Sequence, residues 1–202
     1  MNSDKLSWLV SRPIASRGLH DQLNSGIPEN SIKAFEAAIK KNYSIALNVI
    51  VLTDDEVIVF YDDNLQRLCG DDVEVGKLKK NEYQLYNLSG TDQKISCLED
   101  VLHCIDGRVP VLIEIMNYST NENTNIAVLN TLLGYRGHVA IMSFDPFTLG
   151  WFRRFANTIP RGLLGCSFNG HDKNALMRML LRNFFFNFSY FGIYYLKECS
   201  IV

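Results

Sequence analysis

The sequence predicts an α/β fold, a largely parallel sheet covered by helices, in one domain spanning residues 1–202. Three observations carry this. Short, nearly continuous apolar runs alternate with longer segments of helical periodicity, the pattern of strands buried on both faces. No Pro-, Gly- or Ser-rich linker divides the chain, and no repeat at the roughly 20–50-residue period of solenoids is visible. The 202 residues are 47 % apolar and include 12 Phe and 9 Tyr. That content can offset the entropy of ordering one substantial core, and it excludes disorder as the main state.

The elements follow in order. Ile14-Ala15, after Pro13, is a short strand. Asn30 or Ser31 caps a helix over Ile32 to Lys41, whose Ile32, Phe35, Ala38 and Ile39 fall on one face. Ile45 to Leu52 and Val57 to Tyr61 are strands separated by a turn at Thr53-Asp54-Asp55. Residues 62–94 read as polar and irregular. Ser96 and Glu99 fit a capping box that opens a helix running through Ile105. Strands then fall at Val109 to Met116, His138 to Phe144, Arg161 to Cys166 and Tyr190 to Tyr195. Helices lie between them, from Asn123 to Leu133, Asp145 to Ala156 and Lys173 to Phe186. Each is read as a member of the parallel sheet or its cover.

Composition narrows the function. Twenty Lys plus Arg against 22 Asp plus Glu give a net charge of −2. Such a balance offers no overall basic field for nucleic acid or an anionic membrane. The five cysteines (Cys69, Cys97, Cys104, Cys166, Cys199) contain no C-x-x-C and read as buried, reduced thiols. Trp8-Leu9-Val10 is too short for a signal-peptide core. Asn183 to Leu196, the longest uncharged stretch, falls short of the roughly 18 residues that span a bilayer. A cytoplasmic protein is expected. Between Asp54 and Glu74 eight acids surround one base, Arg67, and Arg136 to Arg182 is basic. Solvated faces explain both; an acidic metal site and an anion-binding flank are the sharper readings.

Several segments, in order, resemble the glycerophosphodiester phosphodiesterase family. Pro13-Ile14-Ala15-Ser16-Arg17-Gly18 is similar to that family's first strand and its His-Arg-Gly ending. Pro28-Glu29-Asn30-Ser31, followed by Ala34-Phe35, resembles its Pro-Glu-Asn-Thr helix start. Ile45 to Val49 resembles its Glu-x-Asp strand, and Phe60-Tyr61-Asp62-Asp63-Asn64-Leu65 its His-Asp-Asp-x-Leu motif. Leu112 to Met116 resembles its Glu-x-Lys strand, and Ser143-Phe144-Asp145-Pro146 its Ser-Phe-Asp-Pro turn. The resemblance implies a TIM-type (β/α) barrel with its site at the C-terminal strand ends. About seven strands can be counted, so the barrel is expected to be incomplete, lacking its last unit. The implied chemistry is two-histidine acid/base hydrolysis of phosphodiesters beside a divalent cation, in lipid and glycerophosphodiester metabolism.

The departures fall on the reacting groups. Ser16 and Tyr61 stand where the resemblance places the catalytic histidines. Ala46 and Asn48 stand where it places two metal carboxylates, the first a lost ligand and the second a weak one; Met116 replaces a lysine. Arg17 is retained as the implied phosphate contact and Glu114 as the implied third metal ligand, with Glu29, Asn30 and Asp62 completing the pocket. Neither serine nor tyrosine ionises near neutrality, and each lost acid/base role is worth about 10²–10⁴ in rate. One carboxylate and one amide make a poor site for Mg²⁺ or Ca²⁺, so no cofactor is expected.

The expectation is therefore a pseudoenzyme that keeps affinity for a phosphate-bearing small molecule. Residual phosphoric diester hydrolysis, with Mg²⁺ or Ca²⁺ on a rebuilt site, and a partner-binding scaffold are the competing readings. Open barrel edges suggest self-association. His20 reads as a solvent-facing loop residue, His103 as packing or surface, and His138 and His171 as boundary residues. Gly162 and Gly165 make no phosphate loop, and the aromatic stretch Phe184 to Phe191 reads as core.

Overall fold

Strand residues that cannot stay in water set the architecture. The computed structural model describes residues 3–21, 25–116, 122–165 and 192–195. Its strands are β1 (Ile14–Ser16), β2 (Ser44–Val51), β3 (Val57–Val59), β4 (Ser96–Cys97), β5 (Val111–Ile115), β6 (Val139–Ser143), β7 (Arg161–Gly165) and β8 (Gly192–Tyr195). Its α-helices are α1 (Ile32–Lys40), α2 (Gln66–Cys69), α3 (Leu98–Ile105), α4 (Glu122–Leu132) and α5 (Pro146–Phe155). The sheet runs β4-β3-β2-β5-β6-β7-β8, with β1 beside β2. Among the described residues no ladder joins β8 to β1.

All seven expected strands are present, but β3 is not a parallel member. It runs antiparallel to β2, Val49 opposite Val59 and Val51 opposite Val57, and β4 runs antiparallel to β3. The reason is length. Five residues join β2 to β3, whereas a parallel crossover needs about a dozen or more. β2 thus pairs with β1 along residues 44–46 and with β3 along 49–51, while β5 follows its other edge.

The helices start where side chains can cap them. Ser31 Oγ accepts the Ala34 N–H, and Asp145 accepts those of Phe147 and Thr148, with Pro146 in the first turn of α5. The expected capping box at Ser96 is not formed. Ser96 is held in the β3–β4 ladder opposite Val59, and Cys97 Sγ accepts the Asp100 N–H one residue later.

The pleat sorts the side chains of β2 and β5 into two sets. Ile45, Leu47, Val49, Val111, Ile113 and Ile115 pack with Phe35 of α1, Leu98 and Val101 of α3 and Phe152 of α5 in the main core. The opposite face carries Ala46 and Asn48 on β2, and Leu112 and Glu114 on β5. Leu9, at the end of a 3-10 helix (Ser3–Leu9), packs there with Ala46, Leu112, Met142 and Leu164. Residues 62–94, expected to be polar and irregular, supply much of a second core. Phe60, Leu65, Leu68, Val75, Leu78, Tyr83, Leu88 and Ile95 join Ile50, Leu52 and Ile58 there. Its connections include the short α2 and three 3-10 turns.

The sequence-predicted helix over 173–186, the aromatic stretch 184–191, His171, Cys166 and Cys199 lie outside the described residues. Cys69, Cys97 and Cys104 are free thiols, and burial raises each above its ordinary value. Gly162 lies in β7 and Gly165 ends it, so neither belongs to a loop. No helix among the described residues is long and apolar enough to cross a membrane.

Candidate functional site

The C-terminal ends of β1, β3 and β5 converge on the middle of β2, and the backbone first gathers the chain there. Arg17 follows β1 with φ 57, and its N–H donates to the Ala46 carbonyl at 2.6 Å. Its own carbonyl accepts the Asn30 N–H at 2.8 Å, which ties the loop before α1 over the strand end. Gly18 makes this approach possible. It has φ +79, and a Cβ there would stand 2.7 Å from Ala34 Cβ and 2.9 Å from the Ala34 carbonyl carbon. Only glycine suits both the backbone conformation and the space. The Phe60 N–H donates to the backbone carbonyl of Asn48 at 3.0 Å, so Tyr61 emerges beside the same strand ends.

On one side these residues form a connected charge cluster. Arg17 Nη1 donates to Glu29 Oε1 at 3.0 Å, and its guanidinium carbon lies 3.5 Å from the centroid of the Tyr61 ring. Arg67 approaches Glu29 in a fork, Nη2 to Oε1 at 2.6 Å and Nη1 to Oε2 at 3.3 Å. Its Nε donates to Asp62 Oδ2 at 2.9 Å. Glu29 is buried at 6 % exposure. Burial alone would raise its carboxyl, but the Arg67 hydrogen bond and the charges of Arg17 and Arg67 outweigh it and hold the group below its ordinary 4.5. His20 is exposed and adds a weaker pull of the same sign.

The other side is a chain of amides ending on a carboxylate. Asn48 Nδ2 donates to Glu114 Oε2 at 2.7 Å and lies 3.6 Å from Met116 Sδ. Because the amide nitrogen faces Glu114, the Asn48 carbonyl faces Asn30, whose Nδ2 donates to it at 3.4 Å. Asn30 Oδ1 is buried and has no hydrogen-bond partner among the described residues. Burial pushes the Glu114 carboxyl above its ordinary 4.5; the Arg17 charge and the Asn48 hydrogen bond offset that only in part.

The structure thus brings together Arg17, Glu29, Asn30, Asn48, Tyr61, Asp62 and Glu114. Ser16 is exposed at the end of β1, and Ala46 is its ladder partner. Sequence reasoning missed Arg67 as a site residue. Its signal was visible, the one base in an acidic stretch, but that stretch reads as solvated. Of the eight acids only Asp62 enters the site; Glu56, for example, pairs with Lys80. His103 and His138 are exposed, and His138 stacks on Trp8 at 5.1 Å.

A hard cation needs several oxygen donors. Here Glu114 and Asn48 would be the donors. The Asn48 N–H₂ is turned on the carboxylate, its carbonyl accepts from Asn30, and Ala46 offers nothing. This set does not fit Mg²⁺ or Ca²⁺. Among the described residues no group of three His, Cys, Asp or Glu side chains could hold a metal ion.

A mostly parallel sheet with a helical cover, and an arginine and a buried carboxylate gathered beside neighbouring strands, place the chain in the (β/α) class. Comparison with known proteins agrees and is more specific. Residues 17–181 match the glycerophosphoryl diester phosphodiesterase family. The chain belongs to that family, whose fold is the TIM-type barrel. Its fold is shared by a phosphodiesterase of Oleispira antarctica in complex with the product sn-glycerol-3-phosphate (TM-score 0.74, 17 % identity, 94 % of this chain and 86 % of that one). A glycerophosphodiester phosphodiesterase of Parabacteroides distasonis gives 0.70 at 19 % identity over 91 % and 72 %. One from Thermotoga maritima gives 0.62 at 24 % over 84 % and 67 %. Among curated proteins none matches the chain.

Proposed function

We propose that this chain is a non-catalytic member of its family that binds a phosphate-bearing small molecule without a metal ion. The observation that carries the reading is the 2.7 Å hydrogen bond from the Asn48 amide to Glu114. It turns the retained carboxylate into the acceptor of a neutral donor, where a phosphodiesterase needs a cation to neutralise phosphoryl oxygens. Ser16 and Tyr61 supply no group suited to proton transfer at neutral pH. Arg17 supports the binding half. Glu29 and Tyr61 hold its guanidinium, its side chain is 26 % exposed, and a planar fork suits a phosphate. The Oleispira antarctica relative holds sn-glycerol-3-phosphate, which makes glycerol 3-phosphate a reasonable first probe.

The test is hydrolysis of a glycerophosphodiester with Mg²⁺, Ca²⁺ or EDTA, beside calorimetric titration with glycerol 3-phosphate. No turnover in any condition, with binding unchanged by EDTA, is expected. Turnover that EDTA abolishes would overturn the reading.

A further inference from the structure

We infer that Tyr61 is a positioning residue. Its ring is the platform on which Arg17 presents itself to an anion. The inference rests on the binding reading above and names the device that makes the Arg17 site. The guanidinium is constrained in two ways. One face lies on the ring, 3.5 Å from its centroid, and one edge donates to Glu29 at 3.0 Å. Glu29 cannot follow a ligand, because Arg67 holds both its oxygens and is itself held by Asp62. Among the described residues Glu29 takes the one hydrogen bond that the Arg17 guanidinium makes. Its remaining N–H donors therefore stay available on a side chain that is partly exposed.

A cation over an aromatic face is attracted by the ring's quadrupole, and the ring removes rotamer freedom that an anion would otherwise have to freeze on binding. A protonated imidazole in the same place would repel the guanidinium. An aliphatic side chain would leave it to wave. The anion class that suits such a fork is a phosphate or phosphate ester. The contact with Arg17 is made by the ring face, so phenylalanine should supply the same platform.

The experiment uses the full chain with EDTA present, and inorganic phosphate and glycerol 3-phosphate as probes, against Tyr61→Phe, Tyr61→Leu and Tyr61→His. Thermal melts check that each variant folds. Two readouts are taken: affinity by calorimetry, and the NMR shifts of the Arg17 side chain without ligand. Tyr61→Phe should keep both the upfield ring-current displacement of Arg17 and an affinity within about twofold. Tyr61→Leu should lose the displacement and weaken both probes by about three- to tenfold, the range a partly exposed cation–π contact supports. Tyr61→His should weaken binding further below pH 6, where imidazole is charged. If Tyr61→Leu loses the ring-current displacement yet binds as tightly as the natural chain, the inference is overturned while the binding reading stands. Failure of Tyr61→Phe to bind, with the displacement intact, overturns it too. If the natural chain binds neither probe, the binding reading itself falls and takes the platform with it.

Discussion

On one side of the site Arg17, Glu29, Arg67, Asp62 and Tyr61 form a chain of charges and a ring. On the other, Ala46, Asn48, Glu114 and Met116 set a lone carboxylate against an amide and a thioether. The two acids at their centres, Glu29 and Glu114, are both buried, at 6 % and 8 % exposure, yet burial is answered differently. Two guanidinium groups reach Glu29, and its charge is favoured. A neutral amide reaches Glu114, and its charge is not. Similar burial therefore does not mean a shift in the same direction; the partner decides.

The sharpest way to break the comparison is to rebuild the weak side. The variant Ser16→His, Ala46→Glu, Asn48→Asp, Tyr61→His should gain glycerophosphodiester turnover of about 10⁴-fold or more over the natural chain, abolished by EDTA, since each acid/base role is worth roughly 10²–10⁴. Silence from this folded variant would show that the two sides are no longer compatible.

Next in size is Gly18→Ala, which strikes the charged side at the turn that places Arg17. A Cβ within 2.7 Å of Ala34, at positive φ, should cost about 2–4 kcal/mol. At about 2–4 °C per kcal/mol for a chain of this size, the midpoint should fall by roughly 4–16 °C. A melt within 2 °C of the natural chain would mean the turn is not constrained as described.

The pH dependence separates the two acids by sign. Glu29, held below 4.5, adds stability that is present above that value and lost as pH falls through its folded value. Glu114, held above 4.5, costs stability at neutral pH, and the cost is relieved as pH falls through its raised value. Melting midpoints across pH 3–8 should show the acid fall flattened in Glu29→Gln and the relief removed in Glu114→Gln. The same change from both variants would erase the distinction.

Smallest should be Asp62→Asn, which removes one charge from Arg67 while the fork to Glu29 remains. The Arg67 side chain is 47 % exposed, so solvent screens the loss. Less than about 1 kcal/mol is expected from urea unfolding.

What the sequence revealed follows from what each signal measures. The strands from β5 onward and helices α1, α4 and α5 were legible because periodicity and caps are local. Ser31 and Asp145 sit where they were sought. The direction of β3 was missed although the turn at 53–55 was seen, because apolar content says nothing of direction; the loop length would have settled it. The second core escaped because Leu65, Leu68, Val75, Leu78 and Tyr83 share no period, and only the fold makes them neighbours. In the candidate site, Arg17, Glu29 and Glu114 were found through motifs. Arg67 was not, since its meaning depends on Glu29, 38 positions away. That Asn48 turns its nitrogen toward Glu114 is a matter of orientation, which residue type cannot supply.

Leu9 gives the site an asymmetry of access. With Ala46, Leu112, Met142 and Leu164 it lays a greasy floor one pleat below Asn48 and Glu114. The polar side chains of β2 and β5 therefore rest on hydrocarbon, so an ion drawn to the pocket would meet charge on one side and an apolar layer on the other.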